Sequence, residues 1–189
     1  MNPLEVLSRH YDPSTPLYHV LVIHSTLVTA KAMKIARAHL SRQPDEAIDL
    51  EFLTEAALLH DIGIKLCDAP EIYCTGSEPY IRHGILGKQL LEAEGLPRHG
   101  LVCARHTGSG ISRDDVREQA IPLPEDDYLP VSVEEKIICI ADKFYSKKPS
   151  RLWKEAEQTS ILKSIRKYGL PSLARWEALL EEFAVDPAP

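Results

Sequence analysis

The chain has 189 residues, 44% of them apolar and 26% charged, so it is long enough to bury the core of one ordinary domain. Its formal net charge of −6 argues against a protein that covers nucleic acid with a broad basic surface. No apolar run approaches the roughly 20 residues that cross a bilayer. We therefore expect a cytoplasmic protein that binds neither a nucleic acid polymer nor a membrane, and its oligomeric state is left open.

Helices dominate the elements predicted along the chain. An apolar rhythm of i, i+3 and i+4 opens at Pro16, and Ser132 followed three residues later by Glu135 is typical of a capped helix start. Helices are predicted over about 16–41, 49–63, 78–95, 97–106, 132–148, 150–168 and 172–184. Several prolines make 121–130 an irregular connection, and the last four residues, 186–189, are expected to fray. No segment alternates like a strand, which predicts an all-α fold.

Ionisable residues interrupt the apolar helices at several points. In LLHDIGIKL, residues 58–66, a histidine and an aspartate follow two leucines. Burying such groups without partners costs roughly 2–7 kcal/mol for a neutral group and more for a charged one. The residues that share this feature are His24, His60, Asp61, His83, His106 and Asp142. Imidazole and carboxylate together suit Fe, Mn, Co, Ni or Zn better than Mg²⁺, so the pattern predicts one common divalent transition-metal site.

The surroundings of these residues resemble a known family. HSTLVTAKAMKIA, AALLHDIG, IRHGILGKQLL and EEKIICIADKF occur in the order typical of the HD superfamily of metal-dependent phosphohydrolases, in its HDIG-type branch. The resemblance covers roughly 18–148 and implies a single HD domain, a helical bundle around a buried metal site, with 150–186 as C-terminal helices. It also implies that one ion is held by His24, His60, Asp61 and Asp142, and that a second is held by His83 and His106 with Asp61 as the bridge.

Such a site predicts hydrolysis of a phosphate compound. Ions bridged by Asp61 would lower the pKa of a shared water to about 7, and this water would attack phosphorus in line. The candidate catalytic residues are Asp61, Lys65 and Arg105. The candidate substrate contacts are Lys65, Arg82, Arg105, Lys143 and Lys147. Segment 143–167 carries eight basic and two acidic residues with several aromatic ones, which favours a small phosphorylated substrate such as a nucleotide or dinucleotide.

Two other functions stay open at this point. The same ligands hold a di-iron centre in a few relatives that act as oxygenases, and a metal-stabilised nucleotide sensor would need no turnover. The number of ions, one or two, is also open. His99 lies on a helical face similar to that of His106, so it is either a decoy for a ligand or a residue that supports a ligand by a hydrogen bond from outside the metal site. Cys103 and Cys139 are expected to be small buried side chains.

Overall fold

The computed structural model describes residues 1–185, so the fraying expected at 186–189 lies outside the described residues. Within residues 1–185 the α-helices are α1 (Pro3–His10), α2 (Pro16–Arg42), α3 (Leu50–Leu59), α4 (His83–Ala93), α5 (Pro97–Arg105), α6 (Arg113–Glu118), α7 (Val133–Asp142), α8 (Gln158–Ile165) and α9 (Leu170–Glu182). Short 3₁₀ turns occupy Ile62–Leu66, Pro70–Ile72, Tyr80–Arg82, Pro149–Arg151 and Arg166–Tyr168. The predicted all-α fold is confirmed.

Side-chain caps fix the starts of α2 and α7, the helices that carry His24 and Asp142, which are the first and last candidate ligands along the chain. The Thr15 hydroxyl accepts from the Tyr18 amide at the start of α2, next to the proline in the first turn. At α7, Ser132 and Glu135 form the predicted reciprocal capping box. These caps satisfy amides that would otherwise lack partners in the first turn, so the two helix starts are well defined.

The helices enclose two main apolar clusters. The larger one joins α2, α3, α7, α8 and α9 and includes the fully buried Trp176 and Phe183. The second lies between α1, α2, the end of α3, α4 and α5. Because α3 contributes to both, the residues that follow α3 lie deep in the molecule. None of the helices described over residues 1–185 combines the length and apolar character needed to traverse a lipid bilayer.

The structure corrects several predicted boundaries. The helix expected over 150–168 is wrong in its first half, where a 3₁₀ turn and irregular chain precede α8. The Ala156 amide donates to the Phe144 carbonyl at 2.7 Å, so a tertiary contact replaces a helical bond there. The helix expected from 78 begins at His83, after a 3₁₀ turn, and α7 ends at Asp142, before 148.

Some short elements were not predicted. They are α1, α6 and a two-stranded antiparallel sheet of β1 (Asp68–Ala69) and β2 (Cys74–Thr75), in which Asp68 pairs with Thr75. Two-residue strands are too short to show the alternation by which a strand is predicted.

Candidate metal centre

The six predicted ligands lie at the ends or in the middle of five helical elements that converge. His24 is in α2, His60 and Asp61 directly follow α3, His83 opens α4, His106 directly follows α5, and Asp142 ends α7. All six are buried. Positions at helix ends allow side chains from separate elements to meet at one point.

One group of potential ligands combines His24, His60, Asp61 and Asp142. One ligand atom from each lies within 4.8 Å of the others. Asp61 Oδ2 is 3.1 Å from His24 Nε2 and 2.9 Å from His60 Nε2. Asp142 Oδ1 is 3.1 Å from His24 Nε2 and 3.5 Å from His60 Nε2. Two nitrogens and two carboxylate oxygens therefore face a common point.

A second group shares Asp61 with the first and adds His83 and His106. Asp61 Oδ1 is 3.5 Å from the Nε2 atom of each of these histidines. Asp61 thus directs one oxygen toward each group, the arrangement that a bridging carboxylate requires.

Backbone carbonyls orient three of the four imidazoles. His60 Nδ1 lies 2.7 Å from the Ala57 carbonyl oxygen, and His106 Nδ1 lies 2.7 Å from that of Cys103. His83 Nδ1 is likewise 2.7 Å from a carbonyl oxygen, that of Tyr80. A carbonyl oxygen only accepts, so each Nδ1 carries a proton and each Nε2 is directed toward the cluster, where the neutral form of the imidazole offers its lone pair.

Glycines allow the elements that carry these histidines to approach closely. A Cβ atom at Gly63 would lie 2.1 Å from the His83 carbonyl oxygen. One at Gly84 would lie 2.5 Å from the Cys103 carbonyl oxygen. The turn after Asp61 therefore packs directly on the backbone of α4, and α4 packs on α5, which brings the second group together.

The buried charges shift the pKa values of the cluster. Burial would raise the pKa of Asp61, but the charges of His60 and Lys147 hold it well below its ordinary range. Burial would lower the pKa of His60, yet Asp61 and Asp142 raise it to about 9. Burial lowers the pKa of His83 to about 3, so this imidazole is neutral at pH 7. The carboxylates are thus charged, and the second group offers neutral nitrogen donors.

The donor set fits divalent ions. In the described part of the chain, His60 Nε2 and both carboxylate oxygens of Asp61 have no partner in hydrogen-bonding geometry, although they are buried. His83 Nε2 and His106 Nε2 lie 3.1 Å apart with their lone pairs toward each other, an arrangement that a cation stabilises. Mixed nitrogen and oxygen donors favour a transition metal over Mg²⁺. The cluster could therefore hold one or two divalent metal ions.

Lysines from the loop after α7 lie beside the first group. Lys147 Nζ is 2.5 Å from Asp61 Oδ2 and 3.7 Å from Asp142 Oδ1. Lys143 Nζ is 3.4 Å from Asp142 Oδ2. Both lysines and Asp142 line a cavity of about 240 Å³, which we call the mouth cavity. It opens the buried cluster to solvent next to Tyr80.

Three other predicted substrate contacts are engaged elsewhere. Lys65 Nζ donates to the His10 carbonyl oxygen and lies over the Tyr11 ring. Arg82 Nε is 3.1 Å from Glu78, and Arg105 Nη1 donates to both oxygens of Glu135 at 3.1 and 3.2 Å. The structure does not bring these side chains to the cluster. Their roles, like those of Lys143 and Lys147, stay predictions.

The remaining candidates occupy structural positions. His99 packs on Phe52, and its Nε2 atom lies 3.3 Å from Glu55, so its ring is directed to Glu55 and not to a candidate ligand. Cys103 and Cys139 are buried free thiols, as expected. Tyr80 was not predicted, although its ring stacks on His83 at 4.8 Å and its carbonyl orients that imidazole. Tyr80 lies three residues before His83, as Ala57 lies three residues before His60. This spacing could have indicated from the sequence that the Tyr80 carbonyl orients the ring of His83.

Comparison with known proteins gives the following relatives. The family model described as "HD domain" matches residues 21–146. An uncharacterized protein of Methanocaldococcus jannaschii is 32% identical over 123 residues, which are 65% of this chain and 64% of that protein. Two proteins named tRNA (cytidine(56)-2'-O)-methyltransferase are also similar. The one from Thermoplasma volcanium is 29% identical over 71% of this chain, and the one from Picrophilus torridus is 33% identical over 52%.

The aligned regions cover only part of each relative's own length. The aligned region spans 35% of the Thermoplasma protein and 25% of the Picrophilus protein. No solved structure matches the chain significantly.

Proposed function

Because this chain belongs to the HD domain family, we propose that it is a metal-dependent phosphohydrolase acting on a small phosphorylated substrate, a nucleotide or dinucleotide. Members of the family are generally metal-dependent phosphohydrolases. The observation that carries the proposal is the position of Asp61, whose Oδ1 and Oδ2 atoms face two separate sets of histidines. That arrangement suits two ions held side by side.

The residues of the cluster have separate roles in this function. Bound ions would lower the pKa of a water to about 7 and offset charge on phosphoryl oxygens. The carbonyls behind His60, His83 and His106 keep each Nε2 directed inward, so the donor atoms need no rearrangement. The pKa of Asp61, well below its ordinary range, keeps both of its oxygens available at neutral pH.

Cationic side chains at the mouth cavity favour a phosphorylated ligand. Lys143 and Lys147 line it, and the exposed Lys148 lies at its rim. Their positive charge would attract the anionic group and stabilise negative charge that develops on phosphoryl oxygens. We infer that the phosphate enters through this cavity.

A second cavity favours a substrate with an organic part. It has a volume of about 110 Å³, shares Lys143 with the mouth cavity, and is lined by Ile81, Ile111, Thr107 and Tyr168, among others. An apolar lining with a few polar groups is typical of sites for small organic ligands. This cavity would accept an apolar part of the organic group that carries the phosphate.

Methyl transfer is not part of this proposal. The two relatives named methyltransferases match over only about a third and a quarter of their lengths. The activity in their names belongs to those whole proteins, whereas the family model covers residues 21–146 of this chain.

The test combines metal analysis with a substrate screen. The full chain is purified without chelator, its metals are measured, and phosphate release is followed with nucleotides and dinucleotides in the presence of Mn²⁺, Fe²⁺, Co²⁺ or Ni²⁺. We expect turnover under anaerobic conditions, and its loss in Asp61→Asn. Oxygen consumption without phosphate release would instead indicate a di-iron oxygenase. Nucleotide binding with no turnover under any of these metals would indicate a sensor.

A further inference from the structure

The ammonium of Lys147 lies within the cluster and contacts the same oxygens that face the first group of donors. Its 2.5 Å contact is to Asp61 Oδ2, the atom that also faces His24 and His60. Its second contact, at 3.7 Å, is to Asp142 Oδ1. Only 11% of its side chain is exposed. Lys147 is therefore an internal cation at the place where a divalent ion would find two of its ligands.

Two cations at these oxygens repel each other. A carboxylate oxygen that gives its charge to a divalent ion attracts an ammonium less strongly, and the ion and the ammonium lie only a few ångströms apart in a buried site. Screening by salt is weak there, because the carboxylates of the cluster are buried. Binding of an ion at the first group thus weakens the attraction of these carboxylates for the Lys147 ammonium.

The surroundings provide a second position for the side chain. Lys147 has a flexible four-carbon stem and lines the mouth cavity together with Ser146 and Tyr145. Its loop follows α7 directly, so the side chain needs only rotamer changes to turn from the carboxylates into the cavity. In the cavity its charge would meet the anionic group of a substrate.

We propose that Lys147 competes with the first divalent ion for Asp61 and Asp142, and that ion binding turns its ammonium into the mouth cavity, where it contacts the phosphoryl group. The second half rests on the proposed function, and the first half does not. This competition sets the order of binding, because Lys147 can contact the phosphate only after the ion has bound. Lys147 would thus be a positioning residue for the metal as well as a substrate contact.

Metal titration of chelator-treated full-length chain tests the competition without any turnover. The variants are Lys147→Met, Lys147→Arg, which keeps the charge, and the control Lys148→Met in the same loop. Calorimetry with Co²⁺ should give Lys147→Met an affinity about ten- to a hundredfold higher than wild type, because the ion no longer competes with a buried ammonium for these oxygens. Lys147→Arg and Lys148→Met should stay close to wild type. Equal or weaker binding by Lys147→Met overturns the proposal.

A second measurement uses only the wild-type chain, because Lys147→Met leaves two buried carboxylates with less compensating charge and so destabilises the fold. Amine labelling read by mass spectrometry should modify Lys147 several-fold faster with Co²⁺ than without it, while the exposed Lys148 changes little. Unchanged or slower labelling of Lys147 overturns the proposed movement. Neither readout involves hydrolysis. Failure of the phosphohydrolase assay would therefore not contradict the competition between Lys147 and the ion, and failure of the competition would not contradict the phosphohydrolase activity.

Discussion

Gly63→Ala is expected to separate the turn at Ile62–Leu66 from α4. The added methyl group would lie 2.1 Å from the His83 carbonyl oxygen and 2.4 Å from the Gly87 amide nitrogen. Both are backbone atoms, so no side chain can rotate away, and the two segments must part by about 1 Å to restore ordinary contacts. Overpacking of this kind costs about 1–3 kcal/mol, and we expect the upper end.

The loss is measurable in two ways. A destabilisation of about 3 kcal/mol corresponds to a fall in Tm of roughly 6–12 °C for a chain of this size. A displacement of about 1 Å at Asp61 relative to His83 should also weaken ion binding at the second group and lower turnover about a hundredfold. Differential scanning calorimetry and Co²⁺ content per chain provide the assays.

Gly95→Ala is the matched control. Gly95 has a φ of +75°, and no heavy atom of the described residues lies within 4 Å of a Cβ placed there, apart from its chain neighbours. This variant carries only the backbone strain of the left-handed conformation, about 1–2 kcal/mol. Its metal content should match wild type. If Gly63→Ala also kept wild-type Tm and metal content, the close approach would not be what brings α4 to the cluster.

Three further outcomes are expected. His83→Ala should reduce bound Co²⁺ from about two ions per chain toward one, measured by elemental analysis, and an unchanged value of one would indicate a mononuclear site. Lys143→Met should raise KM for a phosphate substrate at unchanged metal content, whereas the exposed Lys163→Met should not; equal kinetics would remove Lys143 from substrate binding. Burial would raise the pKa of Asp115, but hydrogen bonds from the capping serine and the charge of Arg175 lower it below 3.8. This carboxylate therefore stabilises the fold above its ordinary pKa of 3.8, and the stabilisation is lost as pH falls below 3.8 through the lower pKa of the folded state, so Asp115→Asn should lower Tm at pH 7 and approach wild type only below pH 3.8.

The sequence predicted where the polar cluster lies better than it predicted the edges of the helices. His24, His60 and Asp142 stand out because an ionisable group on an apolar helix is costly unless it has a partner, and that argument needs no tertiary information. The structure brings all six candidate residues together, and their roles as ligands stay predictions.

Tertiary contacts explain what the sequence did not predict. The pattern over 150–168 is amphipathic, yet a backbone bond from Ala156 to Phe144 replaces helix in its first half. Lys65 is close to Asp61 in sequence, but its ammonium donates to the carbonyl oxygen of His10, a tertiary contact that no local sequence pattern contains. Lys147 approaches Asp61 from a loop without periodicity, so its position depends on the path of the chain after α7.

The wide spacing of the cluster residues along the chain also has a consequence for protein lifetime. His24 and Asp142 are 118 residues apart, yet their side chains lie 3.1 Å from each other. An ion held by both would act as a cross-link between the two halves of the polypeptide, and only the folded chain presents its ligands together. At a free ion concentration a hundred times the dissociation constant, such linkage adds about 2.7 kcal/mol to folding. Metal scarcity would then expose this protein to proteolysis, so its abundance in a cell would follow the metal supply.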